Sequence, residues 1–115
     1  MDFAKIRFIP FEAETFVPTT AENIESSYVS CANIQNQRDM NNLADILGST
    51  RAGTFDPDMV RARLKLSDGR ELFVDKFGGI RSQSGDSSLV PEAFAKLNRL
   101  LTSAAKPRPS MAPGC

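Results

Sequence analysis

Between Val60 and Leu66 apolar and basic residues alternate one for one, with Val60, Ala62, Leu64 and Leu66 set against Arg61, Arg63 and Lys65. Successive side chains of a strand point to opposite faces, so a period of two fits a half-buried strand and no helix. Ser67-Asp68-Gly69 then supplies turn chemistry, and Glu71-Leu72-Phe73-Val74-Asp75 resumes the alternation. The stretch therefore reads as a β-hairpin, and any fold of this chain must contain an antiparallel strand pair with one apolar and one charged face.

The register of the hairpin follows from its loop. A two-residue turn at Asp68-Gly69 would place Leu66 opposite Glu71 and Ala62 opposite Asp75, setting apolar groups beside charges. A three-residue loop, Ser67-Asp68-Gly69, with Gly69 in the left-handed conformation of a G1 bulge, sets Leu64 opposite Leu72 and Ala62 opposite Val74. On the other face it pairs Lys65 with Glu71 and Arg61 with Asp75. Opposite-charge cross-strand pairs contribute roughly 0.2 to 1 kcal/mol each, and a one-residue slip would forfeit them together with the apolar face. The three-residue loop is the expected one. Phe73 is left on the charged face, opposite Arg63.

Elsewhere the signals are shorter. Ala4, Ile6 and Phe8 alternate with Lys5 and Arg7 in a strand that Pro10 ends or confines to an edge. Thr19 and Glu22 have the spacing of a capping box, which predicts a short helix starting near Thr20 with Ala21 and Ile24 inward. Tyr28, Ala32 and Ile34 fit one face of a further strand. Asn36, with Asp39 three residues on, predicts a helix whose stripe is Met40, Leu43, Ala44 and Leu47 and which closes at Gly48. Gly48 to Asp58 is a loop by composition. After the hairpin, Phe77-Gly78-Gly79 makes a second turn, Ile80 opens a third meander strand, and Arg81 to Ser88 reads as a polar loop. Pro91 suits the first position of a helix carrying Phe94, Leu97, Leu101 and Ala104, with Leu89 as a hydrophobic staple, that ends by Ala105.

With 115 residues there is material for one core. The expected fold is α+β, a mainly antiparallel sheet built from the N-terminal strand and a C-terminal three-strand meander, with helices packed on one face. A single domain spans residues 1–105. Residues 106–115 carry three prolines and a glycine and no periodic apolar face, so they are expected to form a disordered tail.

The formal net charge is zero, so no field of one sign draws the chain to nucleic acid or to an anionic membrane. The opening residues lack a leader-like pattern and no apolar run reaches membrane length, which makes a cytoplasmic location the default and both Cys31 and Cys115 free thiols. Histidine is absent, which removes the commonest general base and the commonest transition-metal ligand. No catalytic constellation, metal set or cofactor motif is found. Asp56 and Asp58 flank Pro57 as turn residues, Asp75 is assigned to an ion pair with Arg61, and neither Gly78-Gly79 nor Ser67-Asp68-Gly69 lies between a strand and a helix as a phosphate loop would.

The expected function is therefore non-enzymatic recognition of a protein partner, with homodimerisation open, through the sheet face opposite the helices. Its binding residues would be Arg61, Arg63 and Phe73, since arginine and aromatic side chains are the types that anchor interfaces. Small inhibitors and immunity-type proteins are objects of this size, although no motif ties the chain to them. Two alternatives come from other classes. The same cations with Phe73 could bind single-stranded nucleic acid, or the chain could be an enzyme subunit or small-ligand domain completed by oligomerisation.

Overall fold

The computed structural model describes residues 2–15 and 17–108. In chain order the elements are β1 (Ala4–Phe8), α1 (Ile24–Ser27), β2 (Ser30–Ile34), α2 (Gln37–Gly48), β3 (Thr50–Arg51), β4 (Val60–Leu66), β5 (Glu71–Asp75), β6 (Gly79–Ser82), β7 (Gly85–Leu89), α3 (Pro91–Ala104) and β8 (Lys106–Pro107). The strands form one antiparallel sheet of eight, in the order β3-β7-β6-β5-β4-β1-β2-β8 among the described residues. The α+β class with an antiparallel sheet holds, and the two long helices share one sheet face. The strand β1 lies between β4 and β2 and not at an edge.

The apolar face of the sheet is supplied by alternate residues of every long strand. Ala4, Ile6 and Phe8 of β1 meet Ala32 and Ile34 of β2, Ala62, Leu64 and Leu66 of β4, and Leu72 and Val74 of β5, all buried. Met40, Leu43 and Ile46 of α2 and Ala93, Leu97, Leu100 and Leu101 of α3 close this core. The α2 stripe differs from the expected one in a single respect: Ile46 takes the buried place expected of Ala44, which is exposed, while Leu47 stays partly buried. At its start the Asn36 side chain accepts the Asp39 amide at 2.8 Å and donates back to the Asp39 carboxylate, satisfying an otherwise orphaned N–H. Helix α3 starts with Pro91 at its first turn, and Phe94 meets Phe11 edge to face with ring centroids 4.9 Å apart.

The central hairpin has the expected loop. Gly69 adopts a φ of 92° and its N–H donates to the Leu66 carbonyl at 3.0 Å, while Leu64 faces Leu72, Ala62 faces Val74 and Lys65 faces Glu71. At the other end the register shifts, so that Val60 faces Asp75 and Arg61 is the extra residue of a bulge. The bulge and a second small core belong together. Ile9, Ile24, Phe55 and Val60 cluster on the far face of the sheet, with Ala13 and Phe73 packed against them. Residues 9–15 and 17–28 and the loop after β3 therefore cover part of the face expected to be open.

Four further elements depart from expectation, the first being β3, which pairs with β7 inside the stretch Gly48 to Asp58 expected to be a loop. Arg81–Ser88 is a strand hairpin, β6 paired with β7, where a polar loop was expected. The short helix forms at Ile24, after a turn in which the Thr20 and Asn23 side chains each accept the other's amide, and not at Thr20. Ordered structure also continues past Ala105, because Lys106–Pro107 pairs with Ser30–Cys31 and the Arg108 guanidinium stacks on Tyr28 at 4.4 Å. The remainder of the expected tail, residues 109–115, lies outside the described residues.

Candidate functional site: a cationic cleft on the far face of the sheet

The far face is laid out by the same registers that build the core. One row crosses the sheet as Lys106, Cys31, Arg7, Arg63, Phe73, Arg81 and Asp86. The neighbouring row reads Asn33, Lys5, Lys65 and Glu71. Two like-charged pairs therefore stand directly opposite each other across β1 and β4: Arg7 with Arg63, and Lys5 with Lys65. Like charges in such positions destabilise a sheet, so their neutralisation decides how the face behaves.

The arginine pair is neutralised from within. Glu25, on the short helix α1, accepts from both Arg7 and Arg63, and the Glu71 carboxylate accepts from Arg63 Nε at 2.6 Å. Glu25 reaches them because Ile24, fully buried in the second core, fixes α1 over the strands. The lysine pair is not neutralised in this way. Glu71, expected to pair with the facing Lys65, is directed to Arg63, and neither Lys5 nor Lys65 makes an ion pair among the described residues, where both are exposed. Lys5, Arg7, Glu25, Arg63 and Lys65 line a cleft with room for about 160 Å³.

Of the three residues expected to bind, only Arg63 stands in this cleft. Arg61 is fully buried: its guanidinium donates to the Val60 carbonyl at 3.0 Å and to the Ala13 carbonyl at 3.1 Å, and Nε has no hydrogen-bond partner. The bulge takes it out of register with Asp75, which faces Val60 instead. Asp75 in turn accepts three backbone N–H groups, from Asp56 at 2.8 Å, Phe77 at 2.7 Å and Gly79 at 2.8 Å, and so pins the loop before β4 to the β5–β6 turn. The joint is tight, since a Cβ on Gly79 would lie 2.4 Å from Asp75 Oδ2 and 2.5 Å from the Thr54 carbonyl. Phe73 does face the same side as Arg63, and it is half-buried against the second core.

Sequence reasoning missed Lys5, Arg7 and Glu25. The alternation in Ala4–Phe8 already puts Lys5 and Arg7 on a polar face; that they meet Lys65 and Arg63 depends on β1 pairing with β4, which no local pattern specifies. Cys31, expected to be a free thiol, is buried and disulfide-bonded. Cys115 lies outside the described residues.

The cleft holds charge and little else. Among the described residues no three His, Cys, Asp or Glu side chains come together as a metal site would require, and no helix is long and apolar enough to cross a membrane. Tyr28 is buried, with the guanidinium groups of Arg7 at 5.3 Å and Arg108 at 4.4 Å from its ring. No family model, curated protein or solved structure matches the chain.

Proposed function

We propose that this protein is a non-enzymatic binding module that recognises a protein partner through the uncovered part of its far sheet face, with Lys5 and Lys65 at the centre of the contact and Arg63 beside them. The observation that carries this is the facing of Lys5 and Lys65, exposed and without an ion-pair partner among the described residues. Such a pair costs the isolated domain stability, and an anionic surface docked on it would relieve that cost. Phe73 packs against the second core and does not line the cleft, and Arg61 has no part in the contact. An inhibitor or immunity-type role is the finer form of the same proposal.

The test is capture of a partner by the whole domain and by its Lys5→Glu/Lys65→Glu variant. Both positions are exposed, so the variant should fold, and the partner held by the wild type should be lost from it. A partner retained equally by both would remove this face from the function. Single-stranded nucleic acid is the weaker reading, because base stacking needs exposed aromatic rings, and the rings set against Arg63 and Arg7, Phe73 and Tyr28, are half-buried and buried. The cytoplasm remains the proposed location. The Cys31 disulfide is the observation that weighs against it, since disulfides persist chiefly in oxidising compartments.

A further inference from the structure

We infer that the group recognised in the cleft is a carboxylate of an acidic peptide segment, seated between Lys5 and Lys65. This rests on the reading just proposed and specifies its ligand. Four cations and one carboxylate line the cleft, and that carboxylate, Glu25, is already committed to Arg7 and Arg63. The other nearby acid, Glu71, is held by Arg63 Nε at 2.6 Å. An anion entering the cleft thus meets two exposed ammonium groups on adjacent strands, with Asn33 next to Lys5 as an amide donor. Ammonium groups are point charges on flexible stems, which suits a carboxylate arriving singly on a mobile segment and demands no fixed fork geometry. Glu25 shows the chemistry within the molecule, a carboxylate bridging the cations of two neighbouring strands one row away. A partner's Asp or Glu would repeat that bridge on the lysine row.

The probe is a capped tetraglutamate peptide, titrated into the isotope-labelled full chain at low salt and followed by amide and lysine side-chain NMR shifts. Capped tetraglutamine and inorganic phosphate serve as controls. Shifts should centre on Lys5, Asn33 and Lys65, vanish with tetraglutamine, and weaken at least tenfold in Lys5→Gln/Lys65→Gln, with dissociation rising steeply as salt is added. No shift at millimolar peptide, shifts centred elsewhere, or equal affinity in the double variant would each overturn the inference. So would binding of phosphate without binding of the peptide, or tighter binding of a single-stranded oligonucleotide. The two proposals fail separately. A captured partner that depends on Lys5 and Lys65 while tetraglutamate does not bind leaves the module reading intact and removes the carboxylate. Tetraglutamate binding with a partner indifferent to the charge reversal does the opposite.

Discussion

Asp75 shows how far a residue's role can lie from its sequence neighbours. Its carboxylate is buried and accepts three backbone amides from two separate loops, so replacing it by Ala would strand all three N–H groups in the interior. Hydrogen bonds to charged acceptors are worth about 1.5 to 3 kcal/mol each, though not additively, so chemical denaturation of Asp75→Ala should show a loss of about 3 kcal/mol or more. Arg61 makes a different kind of prediction. Its buried guanidinium rests on carbonyls and has no salt bridge among the described residues, and a buried charge of that kind is often replaceable by an apolar side chain of similar volume. Arg61→Met is expected to stay within about 1 kcal/mol of the parent protein in a denaturant melt, while Arg61→Ala, which leaves a cavity, should cost about 3 kcal/mol. Phe73→Ala should lower stability by about 2 kcal/mol through the second core and leave partner affinity unchanged.

At the scale of elements, Gly69 and Arg108 mark what the sequence could and could not disclose. The loop Ser67–Gly69 was legible because a slip of one residue exchanges two faces of opposite character, so pattern alone selected the register. With Gly69 at a φ of 92° and nothing near the place of its missing Cβ, Gly69→Ala should cost about 1 kcal/mol from backbone conformation alone. The bulge at Arg61 was not legible, because what stabilises it comes from elsewhere: the Ile9 N–H donates to the Arg61 carbonyl at 2.7 Å, and the second core draws Val60 to the far face. Nor was β7 legible, since Gly85-Asp86-Ser87-Ser88-Leu89 carries almost no apolar period and is held by pairing with β6 and by the Arg81–Asp86 pair, bonded at 2.9 and 3.0 Å. That bond from Arg81 holds the Asp86 carboxyl below the usual aspartate range. Any stability it adds is complete above that range and is lost as pH falls through the lowered value, and Arg81→Gln should return the Asp86 NMR titration midpoint upward. Strand β8 escaped notice because its anchors are a cation over a ring and two carbonyls, those of Ser26 and Tyr28, that accept from Arg108. Arg108→Ala should cost about 1 kcal/mol in a thermal melt.

For the molecule as a whole, the amphipathic alternation that made the class readable also fixed which side the long helices cover. How much of the other side stays bare was decided by residues 9–15 and 17–28, whose short irregular elements carry no repeating signal. The place of β1 in the middle of the sheet has a consequence for the order of assembly. The meander from β4 to β7 is built from neighbours in sequence and can form on its own schedule, whereas β1 must find β4 across the whole length of α1, β2, α2 and β3. Closing so large a loop is entropically slow, and native contacts on both flanks of β1 reward it only after the search is done. Refolding should accordingly take milliseconds to seconds rather than microseconds. Amide exchange caught during that time should show the hairpin of Val60 to Asp75 protected first, with the amides of Lys5 and Arg7 following as the two halves of the chain meet.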